Sequence, residues 1–508
     1  MRWLLLLLTC ISFASPVHAE WREAKTRHFL IYSSGAAQSL RDFSIKVERF
    51  DTVLRKRFGV SDEDSSQRLM VFLMSSSDEV QRAMGGGKDA RNIAGFYTGL
   101  VSGSLAVVDR RQSGEKFALD GDAILFHEYA HHFMLHYFPA AYPAWYIEGF
   151  AEFMATTDFT SAGNAKIGLP AYYRAYGLVT GPSFPAETLF TKNSSDLQSS
   201  EELDAFYGRS WLMVHYLDRA ANREGQLKAY LQAINAGKSS LDAARTAFGD
   251  LKQLDKEIAK YISGSLSYAT KARPTPAPAE LSITTLSPAT SASMLIRLRS
   301  MRGVDLAEAK TLVPKFKALA EKYPGDADTW YWLAQGYADA DQDNEAELAL
   351  ATALKINPAL SRALLLGGEI AVRKTIAEKK DDPVAWKAAR AMIIKANRAD
   401  VNDPLPLYRY YESWQQQGIS PTKTAKDGLT RVYELVPESS DVRTRFAAML
   451  AGEGNFIGAA NVIKPLAFDP HDKKRAAFAR ELLDQYIDAN ENKDKPLPSR
   501  TPAPTAKK

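Results

Sequence analysis

Pro324 and Pro358 stand 34 residues apart, and the residues between them set large and small side chains at fixed helical spacings. Trp330, Leu333, Ala334 and Tyr337 are followed, past a short turn, by Ala346, Leu350 and Ala353. A second copy, with two extra residues in its turn, runs Leu407, Tyr410, Tyr411, Trp414, Ala425, Leu429, Val432 and Pro437. A third runs Phe446, Ala447, Leu450, Ala459, Ile463, Leu466 and Pro470, and Leu364 to Ala396 reads as a degenerate copy with an insertion around Lys379–Pro383. A pair of short helices cannot bury its apolar face alone, so such copies must stack on one another. The alanines let helices approach closely, and the aromatics fill the space between them. This pattern predicts an all-helical stack over residues 291–490.

The spacing resembles the tetratricopeptide repeat. That resemblance implies a solenoid whose concave face binds a peptide or protein partner. Residues 271–290 are rich in Pro, Ala and Thr and read as a linker. Residues 491–508 are polar and proline-rich and read as a tail without a fixed fold. At the other end, Arg2, an apolar run from Trp3 to Phe13 and the Val17-His18-Ala19 cleavage pattern mark residues 1–19 as a secretory signal. The apolar run is too short for a stable membrane span. Export, to the periplasm or beyond a bacterial cell, is the expected localisation.

Cys10, inside that leader, is the only cysteine. The exported chain would carry no disulfide, no cysteine nucleophile and no thiolate metal site. A net charge of +4, from 64 basic and 60 acidic residues well mixed, does not suit nucleic acid or an anionic membrane.

Chemistry is concentrated upstream, where Phe126–Tyr137 reads F-H-E-Y-A-H-H-F-M-L-H-Y and Trp145–Phe153 reads W-Y-I-E-G-F-A-E-F. His127 and His131 are four apart, so a helix stacks their imidazoles on one face. Glu128, next to the first histidine, could take a proton from a bound water. Glu148 and Glu152 repeat the four-residue spacing on a second helix, where one could complete a metal shell and the other orient a ligand. The competing interpretation makes these residues ordinary polar positions of an amphipathic helix. Four of the eight histidines fall within ten residues, and they are set among apolar neighbours (Ile124, Leu125, Phe126, Tyr129, Ala130, Phe133, Met134), so the helix is expected to be buried. His132 and His136 sit about 100° further round it and read as ordinary polar or capping positions, not ligands.

The two motifs together resemble the gluzincin metallopeptidases. The resemblance implies one zinc ion held by His127, His131 and Glu148, with Glu128 as general base. It also implies that Glu152 is the acidic residue that hydrogen-bonds a ligand histidine. It further implies an α+β thermolysin-like domain, a small mixed sheet plus helices, over residues 20–270. Strands over 28–34 and 68–74, a helix over Ala36–Phe58, a capped helix start after Ser75 and a hairpin or two short strands over 92–109 match that order. By the same resemblance Ser104–Val108 would be an edge strand that pairs with an extended substrate, the alternative being a plain structural strand. An oxyanion donor is needed opposite the base, and Tyr207 is preferred for it, with His215 as the other candidate.

The expected function is hydrolysis of peptide bonds by an exported zinc metallopeptidase acting on a peptide or protein substrate. The alternative is a catalytically inactive, or non-peptidase, zinc-binding scaffold that works through its repeats.

Overall fold

The strands β1 (Arg22–Lys25), β2 (Phe29–Ser33), β3 (Leu69–Met74), β4 (Gly95–Thr98) and β5 (Leu105–Asp109) build one mixed sheet. Three short strands, β6 (Asp158–Phe159), β7 (Ala165–Ile167) and β8 (Ala269–Thr270), form a second small sheet, and β9 (Ser282–Thr285) returns to the first. This computed structural model describes residues 20–61, 67–86, 94–111, 114–271, 275–378 and 381–492. The leader at 1–19, residues 379–380 of the expected insertion and residues 493–508 of the expected tail lie outside the described residues.

The main sheet runs β4-β5-β3-β2-β1-β9. β2, β3 and β5 are parallel, with Ile31 opposite Val71 and Val71 opposite Ala106, whereas β4, β1 and β9 pair antiparallel to their neighbours. Side chains alternate across the pleat. Leu69, Val71, Leu73, Ala106 and Val108 face one core, which they share with the helix Ala37–Phe58 and the histidine-bearing helix Gly121–Tyr137. Phe72, Met74, Leu105 and Val107 face a second, smaller core. The long helix ends at Gly59, whose φ of 68° is open to glycine without strain.

Two expectations are corrected here. Ser104–Val108 is not an edge strand: β5 pairs with β3 on one side and β4 on the other, so the free edge belongs to β4. The glycine-broken stretch 95–109 folds back as a hairpin and covers the edge that the sequence pattern left open. Nor is 271–290 simply a linker. β9 lies within it and pairs with β1, and the helix that follows, Pro288–Met301, lays Met294 and Leu298 against the outer face of the sheet. The proline-rich composition marks a crossing between the two sheets, not a boundary between independent bodies.

Beyond Met301 the chain is a helical repeat region. The expected first copy is the helix pair Ala327–Asp339 and Asp343–Ile356, with Ala334, Ala346 and Ala353 fully buried between helices. The second copy is Pro404–Gln416 with Lys423–Leu435, the third Ser440–Gly452 with Phe456–Ala467, and the degenerate copy Ser361–Glu378 with Pro383–Ala399. The last helix, Lys473–Glu491, packs on the third pair. Among the described residues no helix is long and apolar enough to cross a membrane.

The later repeats lie against the first domain. Fully buried Arg443 donates from Nη2 to the Leu135 carbonyl at 2.9 Å, and Ser194 Oγ donates to the Pro470 carbonyl at 3.1 Å. The first of these contacts is made on the histidine helix and the second on the turn Ser194–Asp196.

Candidate metal centre

The histidine helix starts at Gly121, which lies against the end of β5: a Cβ there would stand 2.2 Å from the Asp109 carbonyl oxygen. Its apolar face then packs on the sheet and the long helix, with the Phe126 and Phe50 rings stacked at 3.9 Å. This fixes the rotation of the helix, and with it the direction of both histidine pairs.

His127 and His131 bring their Nε2 atoms to 3.0 Å of each other. The glutamate helix, Ala144–Ala155, crosses nearby and sets Glu148 Oε2 3.5 Å from His127 Nε2 and 3.6 Å from His131 Nε2. Three ligand atoms around one tetrahedral zinc stand ~3.3 Å apart, given metal–ligand bonds near 2.0–2.1 Å. Glu148 is fully buried, yet neither of its oxygens has a hydrogen bond of acceptable geometry among the described residues. A buried carboxylate without aligned donors is costly. One of its oxygens and the two Nε2 atoms all lie within 4.8 Å of one another, so the residues present fit a cation. Burial pushes the Glu148 carboxyl up, but His471, His127 and His131 hold it well below the usual range.

Gly149 explains how Glu148 gets there. A Cβ on it would lie 2.5 Å from the Ser210 carbonyl oxygen and 2.8 Å from Val214 Cγ2. The glutamate helix can therefore touch the helix Ser200–Arg219 backbone to backbone, which draws Glu148 and Tyr207 into one site.

Glu152, one turn after Glu148, sets Oε1 3.3 Å from His127 Nδ1. The same carboxylate accepts from Arg174 Nη2 at 2.6 Å and from the Tyr173 hydroxyl at 2.9 Å. Burial raises its pKa, but Arg174 and His127 outweigh this and hold it at about 2. An anion fixed at Nδ1 keeps the proton on that nitrogen and leaves Nε2 to face Glu148.

Glu128 is half-buried beside His127, whose pKa burial lowers but Glu148, Glu152 and Glu128 together raise to about 10. The Tyr207 ring stacks at 6.0 Å from that of His127, and the Arg174 guanidinium lies 5.2 Å from the Tyr207 ring centroid. Burial and the Glu148 charge push the Tyr207 hydroxyl well above its ordinary pKa, so it stays a proton donor. His215, the other oxyanion candidate, is committed elsewhere: Nε2 donates to the Gly168 carbonyl at 3.0 Å and Nδ1 accepts from the Tyr261 hydroxyl at 2.9 Å. It is fully buried among Trp211 and Phe153.

His132 and His136 are neither capping residues nor simple polar surface. They face Glu438 of the repeat region, with His136 Nδ1 at 2.9 Å from Oε2 and His132 Nδ1 at 3.8 Å from Oε1. Ser104 Oγ donates to Oε1 at 2.6 Å, and the Tyr97 hydroxyl lies 2.9 Å from His132 Nδ1. Behind them His28, Glu48 and Asp51 form a third buried cluster, in which Asp51 also pairs with Arg55 at 2.7 Å and accepts from the Tyr129 hydroxyl at 2.6 Å.

One site residue escaped the sequence. His471 Nε2 stands 3.1 Å from Glu148 Oε1, and its ring lies 5.8 Å from that of His131. It is 323 positions after Glu148 and directly follows Pro470, the end of the third repeat copy. Only the docking of the repeats brings it here.

Neither a protein-family profile nor a curated protein sequence matches this chain. Among solved structures, the crystal structure of yeast Tom70 is similar at 12% identity, covering 63% of this chain and 70% of that one, with a TM-score of 0.27. At that score the likeness defines neither fold nor function.

Proposed function

We propose that this chain is an exported zinc metallopeptidase of the gluzincin type, with a tetratricopeptide solenoid that binds a peptide or protein partner. The observation that carries the reading is Glu148: a buried carboxylate without aligned hydrogen bonds, facing His127 and His131 at ligand-like distances, with Glu128 alongside. The small mixed sheet with the histidine helix on one face is in keeping with a thermolysin-like α+β domain. The leader pattern at 1–19 supports export.

His127, His131 and Glu148 would hold the zinc, which when bound supplies Lewis acidity and lowers the pKa of water at its open side. Glu128 takes the proton of the attacking water and returns it to the leaving amine. The Tyr207 hydroxyl donates to the oxyanion that develops on the peptide carbonyl. Glu152 keeps the His127 ring oriented throughout.

The second reading, a zinc-binding scaffold without peptidase activity, has one observation in its favour: His471 of the repeat region stands against Glu148 at the site. Zinc content measured together with product mapping on a proteome-derived peptide library separates the two. Hydrolysis by the wild type that Glu128→Gln abolishes, with zinc retained in both, supports the peptidase. Stoichiometric zinc with no cleavage by either protein would leave the scaffold.

A further inference from the structure

We propose that the repeat region completes the metal centre through His471, acting as a positioning residue for Glu148. The inference rests on the metal reading above. A carboxylate ligand has two oxygens, and whether one or both bind decides how many positions stay open at the metal. Here the oxygens face different ways. Oε2 looks toward the two ligand histidines at 3.5 and 3.6 Å, and Oε1 looks toward His471 Nε2 at 3.1 Å. With Oε1 facing that imidazole across an ion-pair distance, Glu148 would bind a metal through Oε2 alone, which would leave a place for water.

The loop that carries His471 is built to hold it there. The His471 N–H donates to Asp469 Oδ1 at 2.9 Å, and Asp472 caps the last helix by accepting from the Arg475 N–H at 2.9 Å. On the first domain, the turn Asn193–Asp196 closes as a capping box and receives the loop. Ser194 Oγ bonds the Pro470 carbonyl at 3.1 Å, and Lys473 Nζ pairs with Asp196 at 2.9 Å. Phe468, three residues earlier, packs against the cores of both regions. Glu438, with His132, His136 and Ser104, pins the same face independently. Two anchored contacts thus flank His471, and the metal site depends on how the repeats sit.

The test is a competition titration of full-length, metal-free protein with zinc and with cobalt against a chromophoric chelator. It compares wild type, His471→Ala, His471→Gln and His127→Ala, with the thermal midpoint of each metal-free protein as a folding control. His471→Ala is expected to weaken metal binding by about 10–100-fold and to alter the visible spectrum of bound cobalt as Glu148 becomes bidentate. His471→Gln, which still offers an N–H to Oε1, is expected to recover most of the affinity and the wild-type spectrum. An unchanged affinity and spectrum in His471→Ala would overturn the proposal, as would a glutamine variant no better than alanine. Wild type binding no more tightly than His127→Ala would instead overturn the metal reading, and this inference with it.

Discussion

The histidine helix carries two pairs of the same spacing, and each meets a glutamate from another element. His127 and His131 meet Glu148, and His132 and His136 meet Glu438. The difference lies in how the carboxylate is satisfied. Glu438 accepts from Ser104 at 2.6 Å and pairs with His136 at 2.9 Å, so both oxygens have protein partners. Glu148 is equally buried but has no aligned donor among the described residues. The Glu438 cluster is a latch between regions, and the Glu148 cluster has the donor set and spacing that fit a cation. Spacing alone does not distinguish them; hydrogen-bond geometry does.

The comparison breaks most readily at the ligands themselves. His127→Ala or His131→Ala should abolish stoichiometric zinc, whereas His132→Ala and His136→Ala should retain it, as read by metal content after dialysis. Loss of zinc from either of the second pair would make the latch a metal site too. Next in size, Glu128→Gln should lower peptide hydrolysis by about 10²–10⁴-fold with zinc unchanged, measured as initial rates on a common substrate. Glu152→Ala frees the His127 ring and should weaken zinc by about 10–100-fold in a chelator competition. Gly149→Ala forces a methyl against the Ser210 carbonyl and should cost about 1–3 kcal/mol in urea unfolding, moving Glu148 with it.

The smallest effect concerns the latch. Burial raises the Glu438 pKa, but His136, His132 and Ser104 bring it down from 4.5 to about 2. A depressed carboxylate stabilises above its unfolded value, and that stabilisation is lost as pH falls through the folded one. The stability gap between wild type and Glu438→Gln should therefore be full near neutrality and close between about pH 4.5 and pH 2. A gap that does not change with pH would mean that Glu438 carries no charge in the latch.

Much of this was legible from local pattern. The strands 29–33 and 69–74, the long helix, the histidine helix and the helix pairs of the repeats all follow from apolar periodicity, which is a local property. Glu148 and Glu152 could be paired with the histidines because a helix-turn-helix return is short. Two features depended on distant chain and left no local mark. β9 joins the sheet from within a proline-rich stretch, and Glu438 and His471 arrive from the repeats. A lone histidine after a repeat's closing proline carries no periodicity, so nothing in its neighbourhood signals a role. His215 shows the converse: a histidine at a plausible distance downstream whose two nitrogens are spent on Gly168 and Tyr261.

The central claim is that Glu148, and not Glu438, holds a metal. Zinc stoichiometry of purified full-length wild type, Glu148→Ala and Glu438→Ala, determined by mass spectrometry on the same preparations, tests it directly. The account predicts one zinc per chain in the wild type and in Glu438→Ala, and none in Glu148→Ala. Zinc retained in Glu148→Ala and lost in Glu438→Ala would contradict it.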